Sequence, residues 1–218
     1  MTRPEGFRDE TADKLIHAGI ELFGEHGFAG TTTRMVAEAA HSNIGSIAYY
    51  FGNKRGLYLA CAGHIAARMR QIFLLDVSTE NRDWLAGLNK QQARVRLEQM
   101  VRRMVRLFSR EEEARRWLML VMREQANPSE AFDVLYREAF EVAHVTLTTL
   151  IGVVTGRDPT ERRVILEAHT LVGQIVFFLV GRTPLLRRLN CGDHLPEAIA
   201  AEAEEVVVAH LAALGRAS

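Results

Sequence analysis

Two cysteines, Cys61 and Cys191, are all that the 218 residues contain, and they stand far apart. That excludes a disulfide framework and fits a reducing cytosol. Long apolar runs are missing too: residues 175–180 make a run of six, far short of a membrane span. The opening MTRPEGFRDETADK has no apolar signal segment. These absences lead us to expect a cytoplasmic protein with no membrane partner. The eight histidines form no H-x-x-x-H or H-E-x-x-H pair, and no Cys-x-x-Cys exists, so no metal site is expected. Fingerprints for an activated serine, a P-loop or a dinucleotide are absent, which argues against an enzyme and against a cofactor. Net charge is also lacking, because 27 Lys and Arg balance 27 Asp and Glu. Bulk, nonspecific polyanion binding therefore has no driving force.

What is present is ordinary in quantity and informative in order. Hydrophobic content of 48% and charged content of 25% suit a globular protein large enough for one or two domains. Apolar residues recur with helical spacing nearly everywhere, and no alternating strand pattern is found. Leu15, Ile16, Ala18, Gly19, Leu22 and Phe23 mark one face of a first helix that Gly27 closes.

The densest signal is the stretch of residues 31–57, TTTRMVAEAAHSNIGSIAYYFGNKRGL. Thr31–Thr33 offer side-chain oxygens to the first amides of a helix. Val36, Ala37 and Ala40 then make a narrow stripe of small residues that lets another helix cross closely. His41-Ser42-Asn43 interrupts the pattern, and Ser42 or Asn43 can cap a helix over Ile44–Phe51. Within it Ile47 and Phe51, four apart, face inward. Gly45, Ser46, Ala48, Tyr49 and Tyr50 are left on the outside, and a phenol can donate to a phosphate oxygen. Gly52 ends that helix, Asn53 caps the next, and Lys54 and Arg55 occupy its first turn. The first 56 residues hold six basic and seven acidic side chains, yet residues 39–57 contain no acid. The electropositive footprint is local.

This stretch resembles the DNA-binding region of the TetR family of bacterial repressors, whose pattern is near TT-x-x-I-A-x-x-A-G-V-S-x-G-x-L-Y-x-Y-F-x-S-K-x-x-L. The departures are His41 for the usual turn glycine, Ser42 for valine and Ala48 for the commonest tyrosine. The glycine's replacement raises a question of turn geometry, which histidine tolerates better than most residues. The resemblance implies phosphate contacts from Thr32, Thr33, Ser46, Tyr49, Tyr50 and Lys54. It implies base contacts from Ile44, Gly45 and Ala48, with Arg34 as a guanine reader and Asn43 within the same footprint. Ile44 and Ala48 either meet thymine methyls or simply pack.

Further helices are expected over 57–75, 92–109, 111–125, 129–154, 160–180 and 196–214, with 78–90 as a polar loop that tucks in Trp84-Leu85. MREQANPSEAFDVLY and LEAHTLVGQIVFFLVGRTPLLRRL, with NIGSIAYYFGNKRGLYLACA, resemble the regulators linked to cephalosporin and chloramphenicol sensitivity. The implied fold is all-α with about nine helices. A three-helix helix-turn-helix domain over 8–64 is joined by a long helix to a ligand-binding and dimerisation domain over 65–218.

Residues 172–180, VGQIVFFLV, are apolar nearly all round, which places them in a core or an interface. Palindromic half-sites need two reading heads, so a homodimer face is expected from Val172, Ile175, Val176, Phe178 and Leu179 with Val206 and His210 of the last helix. A pocket for a small molecule is expected among Met104, Phe108, Trp117, Met122, Arg123, His144 and Gln174, a set rich in sulfur and aromatic rings. The alternative is plain core, with an Arg123–Glu124 salt-bridge network and satisfied histidines. Trp84 and the series Arg94, Arg96, Arg102, Arg103 and Arg106 read as a solvated face with Glu98 and Glu111–Glu113 rather than a second nucleic-acid surface. The function expected is a ligand-responsive repressor that binds a palindromic operator on double-stranded DNA as a homodimer. The rival is a helical ligand-binding or scaffold protein whose DNA head no longer binds.

Overall fold

A computed structural model of the protein describes residues 5–73, 79–110 and 112–214. Leu75, Ser78, Glu111 and the end 216–218, and the side chains of Ile72 and Glu113, lie outside the described residues. The described regular structure is helical throughout. Its elements are α1 Glu5–Gly30, α2 Thr33–Ala39, α3 Ile44–Phe51, α4 Lys54–Phe73, α5 Thr79–Ala86, α6 Lys90–Arg110, α7 Glu112–Ala126, α8 Glu130–Leu135, a π turn Tyr136–Phe140, α9 Glu141–Thr155, α10 Arg162–Val180, α11 Arg182–Arg188 and α12 Glu197–Leu211.

Twelve α-helices replace the expected nine among the described residues, for three local reasons. The polar stretch read as a loop is α5, and only half of its expected anchor is buried. Leu85 is inside while Trp84 is 54% exposed. Past the expected helix end at 180 the chain forms another helix, α11, with Gly181 at its cap position. Pro184 sits in its first turn, where a missing N–H costs nothing. The helix expected over 129–154 is divided by the π turn. A smaller correction concerns the helix expected from 160: α10 starts at Arg162 with Glu161 at its cap position, and Thr160 is bonded to Asp158.

The chain forms two compact units, Met1–Arg68 with Arg115–Glu138, and Met69–Ala114 with Ala139–Ser218. In the first unit, α1 packs on α2 and α3. Leu15, Ile20, Phe23, Val36, Ile47, Leu57 and Ile65 are fully or almost fully buried. Each such side chain contributes about 1.5–3 kcal/mol of transfer free energy. Two glycines let these helices meet as they do. Gly27 (φ 74°) kinks the end of α1, and the Thr31 hydroxyl then donates to the Leu22 and Gly27 carbonyls. A Cβ at Gly56 would lie 1.9 Å from the Phe51 carbonyl oxygen, so only glycine lets α4 start so close to the end of α3.

In the second unit α6 is central, packing on α9, α10 and α12, while α5 rests on α9. The arginines of α6 do not form the purely solvated face expected of them. Arg94 pairs with Glu98, but Arg102 and Arg106 reach across to Glu205 and Glu204 on α12. Glu204 is buried, and Arg106 meets both of its oxygens at 2.8 and 3.0 Å. A buried carboxylate is tolerable only with such compensation. The joined span Glu130–Thr155, which runs from α8 through the π turn to α9, and the helix α10 are long and apolar enough to cross a membrane by composition alone. Here α9 and α10 pack against each other and against α6.

Candidate nucleic-acid interface

The geometry of the interface follows from three caps. Thr32 is the cap of α2 and its hydroxyl oxygen accepts from the Met35 amide at 3.2 Å. Asn43 caps α3 by accepting from the Gly45 amide at 2.8 Å. Asn53 accepts from the Gly56 amide at 2.9 Å in the first turn of α4. Between α2 and α3 the chain turns at His41, whose φ of 48° is left-handed. The turn thus keeps the conformation that favours glycine, at some strain.

These caps orient α3 with Ile47 inward and an outward stripe of Ile44, Gly45, Ala48 and Tyr49. Phe51 is only partly inward, being half-buried. Ile44 is 52% exposed and Tyr49 64% exposed, so both present much of their side chains outward. The Tyr49 and Tyr50 rings meet edge to face at 4.9 Å. Ser46 and Tyr50 are half-buried beside the stripe, and Thr32, Asn43 and Ala48 are exposed. Thr33 opens α2 half-buried.

The cations of this region have internal partners. Arg34 donates to Glu38 one turn along α2 at 2.8 Å. The Lys54 ammonium lies 4.4 Å above the Phe28 ring centre. Arg55 is paired with Glu130 on α8, its Nε donating at 2.8 Å and a terminal nitrogen at 2.6 Å. The stretch that holds no acid in sequence therefore acquires one in space. Nothing in the sequence signals a partner 75 residues away.

Residues 115–138 complete this unit through three ties. Arg123 donates to the Gly24 and Glu25 carbonyls at 2.6 Å each, fixing the end of α1. The buried Glu124 accepts from the Tyr58 hydroxyl, from Ser129 N and Oγ at 3.1 and 2.7 Å, and from the Phe132 amide at 2.9 Å. Burial, reinforced by the Glu124 carboxylate, pushes the Tyr58 phenol well above its ordinary range, so it stays a donor. The third tie is Arg55–Glu130. Around them lies a cavity of about 450 Å³ lined by Phe28, Arg55, Tyr58, Arg123, Glu124 and Glu130 among others. Arg123 and Glu124 thus serve separate partners rather than the salt-bridge network weighed above.

The side chains expected to line an effector pocket are dispersed. Met104 and Phe108 are buried on α6, and Trp117 is buried on α7. Met122 is exposed, and Arg123 is committed to backbone carbonyls. Gln174 is an exposed group on α10 that meets the His210 ring at 2.9 Å, so it is not a polar group inside a core. His144 of α9 is half-buried, 5.7 Å from the His169 ring; burial, then the His169 charge, lowers its pKa from the ordinary 6.5.

The expected dimer face needs a correction. Ile175 and Leu179 are buried within the chain itself, because α10 turns that stripe inward. Val172, Val176 and Phe178 are half-buried, and Val206 and His210 are exposed. The outward apolar residues of α10 are instead Ile165, Leu166, Phe177 and Val180, with Phe177 at 65% exposure. A groove of about 320 Å³ is lined by Leu166 together with Arg163, Gln174, His210 and Leu214 among others. Both cysteines are free, and among the described residues no three His, Cys, Asp or Glu converge as metal ligands would.

Residues 15–61 match the family described as bacterial regulatory proteins, tetR family. Residues 93–214 match the C-terminal domain of the HTH-type transcriptional dual regulator CecR. The CecR protein of Shigella flexneri is 33% identical over 182 residues, 83% of this chain and 80% of that one. A transcriptional regulator from Pseudomonas aeruginosa PAO1 shares the fold at a TM-score of 0.67 and 16% identity, covering 99% of this chain and 94% of that one. AibR, solved with isovaleryl coenzyme A and operator DNA, shares it at 0.65 and 12% identity, covering 94% and 98%.

Proposed function

Starting from the premise that the chain belongs to the TetR family of bacterial regulatory proteins, with a CecR-type C-terminal domain, we propose how this transcriptional regulator reads DNA and answers a ligand. Two copies form a homodimer in the cytoplasm, and each lays α3 in the major groove of one half-site of a palindromic operator. The half-sites lie about 34–36 Å apart, one turn of duplex. Thr32, Thr33, Ser46, Tyr49, Tyr50 and Lys54 hold phosphates, with Asn43 alongside. Ile44, Gly45 and Ala48 face the base edges, and Arg34 leaves Glu38 to pair with guanine. The single observation that carries this reading is the outward stripe of Ile44, Gly45, Ala48 and Tyr49 on α3.

In functional terms residues 8–64 are the DNA-binding domain and residues 65–218 bind effector and partner. The dimer is held by the outward residues of α10 and α12, with Phe177 and Val206 at its centre. A small molecule enters the α6–α9–α10 bundle beside Met104, Phe108 and His144. Its differential affinity for two head spacings sets how far it shifts DNA binding. The likeness in fold to AibR, solved with an acyl-coenzyme A and operator DNA together, supports an arrangement of this kind. Release of the operator by the effector makes the protein a repressor.

The test is binding of selected genomic fragments by wild type, Tyr49→Ala and Lys54→Ala. Lys54→Ala is expected to weaken binding to every fragment and to lower the salt slope by about 0.9. Unchanged binding in both variants defeats the docking mode. Failure of the wild type to bind any fragment favours a helical ligand-binding or scaffold protein.

A further inference from the structure

Arg55 stands in the first turn of α4, next to Lys54 and just past the end of α3. Its side chain is 65% exposed, yet both oxygens of Glu130 accept from it. Glu130 is the first residue of α8, and its position is well fixed. Ser129 caps that helix, and Glu124 binds Ser129 and the Phe132 amide. Glu124 is held in turn by Tyr58, which lies three residues after Arg55 on the same face of α4.

Two bonds of different character therefore join α4 to this corner. Tyr58–Glu124 is buried and strongly directed. Arg55–Glu130 is open to water, and exposed ion pairs contribute little to stability. A guanidinium fork matches a carboxylate and a phosphate equally well. The weaker bond can thus be exchanged for a DNA phosphate without dismantling the corner. Arg34 also has an acid, but Glu38 lies one turn away on its own helix. Glu130 reaches Arg55 only because the fold brings it there.

We infer that Glu130 stands in for a backbone phosphate on Arg55 in the free protein and competes with the operator for it. Arg55 is then a further phosphate contact, and Glu130 sets how much of it the operator obtains. This rests on the DNA-binding reading above. The probe is a labelled duplex selected from a random pool by the wild-type protein, titrated between 50 and 200 mM salt. Glu130→Gln keeps the shape and removes the competing charge. Its binding is expected to tighten by up to about fivefold, the whole value of an exposed pair. The salt slope is expected to steepen by about 0.9, the signature of one added phosphate. Arg55→Gln placed on Glu130→Gln removes both gains. If the pair only braces the corner, Glu130→Gln and Arg55→Gln each weaken binding and the slope does not steepen; that result overturns the inference. A Glu130→Gln protein that unfolds at the wild-type temperature and binds no better also overturns it. Selection of no duplex by the wild type removes the DNA-binding reading and this inference together.

Discussion

Replacing Tyr58 with Phe removes one hydroxyl and leaves the aromatic cluster of Phe23, Phe28 and Tyr58 in place. What is lost is the donor to a buried carboxylate. Glu124 is 4% exposed, and three other donors reach it from Ser129 and Phe132. Hydrogen bonds to a charged group contribute about 1.5–3 kcal/mol net. The remaining bonds do not compensate, because each already has its own donor and Glu124 is buried. Tyr58→Phe is therefore expected to destabilise the protein by about 1.5–3 kcal/mol. In a chain of this size that lowers the melting temperature by about 3–12 °C. Glu124→Leu should cost more, since it takes the shared acceptor from every donor around it. Thermal unfolding of Tyr58→Phe, Glu124→Leu and the double variant, followed by far-UV circular dichroism, measures the coupling between the two. A loss below about 0.5 kcal/mol for Tyr58→Phe would show that Glu124 is solvated and refute the argument.

Other perturbations test other parts of the account. His41→Gly should stabilise the protein by about 0.5–1 kcal/mol, since the left-handed φ at 41 strains any side chain and the gain is only partly offset by the freedom of an unfolded glycine; chemical denaturation reads it, and a destabilised His41→Gly contradicts it. Because the folded-state pKa of His144 lies below its ordinary 6.5, the unfolded chain takes up the proton first as pH falls. Stability is therefore expected to be flat above about pH 6.5 and to decline below it, and His144→Gln should shallow that decline in melting curves across pH 5–8. Phe177→Asp should convert a dimer into monomers in sedimentation at micromolar concentration while leaving the helical content intact; a persistent dimer moves the interface elsewhere.

Local signals carried the reading of the helix-turn-helix. Asn43, the span Ile44–Phe51, Gly52 and Asn53 are all specified by residues within four positions of one another, and caps act at that range. The residues that complete the unit were not legible. Arg55 and Glu130 are 75 positions apart, and Tyr58 and Glu124 are 66 apart. No spacing rule relates them. On α10 an apolar run hid which side turns inward, because Ile175 and Phe177 look alike to a hydrophobicity count. Helix α5 was hidden by its polarity, because Leu85 is its one buried residue with a described side chain. For the effector region, residue type pointed to a pocket, but Arg123 and Gln174 spend their polar atoms on Gly24, Glu25 and His210.

The most direct test of the central claim is a hydroxyl-radical footprint of the wild-type protein on a duplex it selects. Two α3 helices reading one palindrome predict two protected patches with centres about 10 base pairs apart, related by two-fold symmetry. Both should weaken together in Tyr49→Ala. A single protected patch, or two that survive Tyr49→Ala unchanged, would contradict the account.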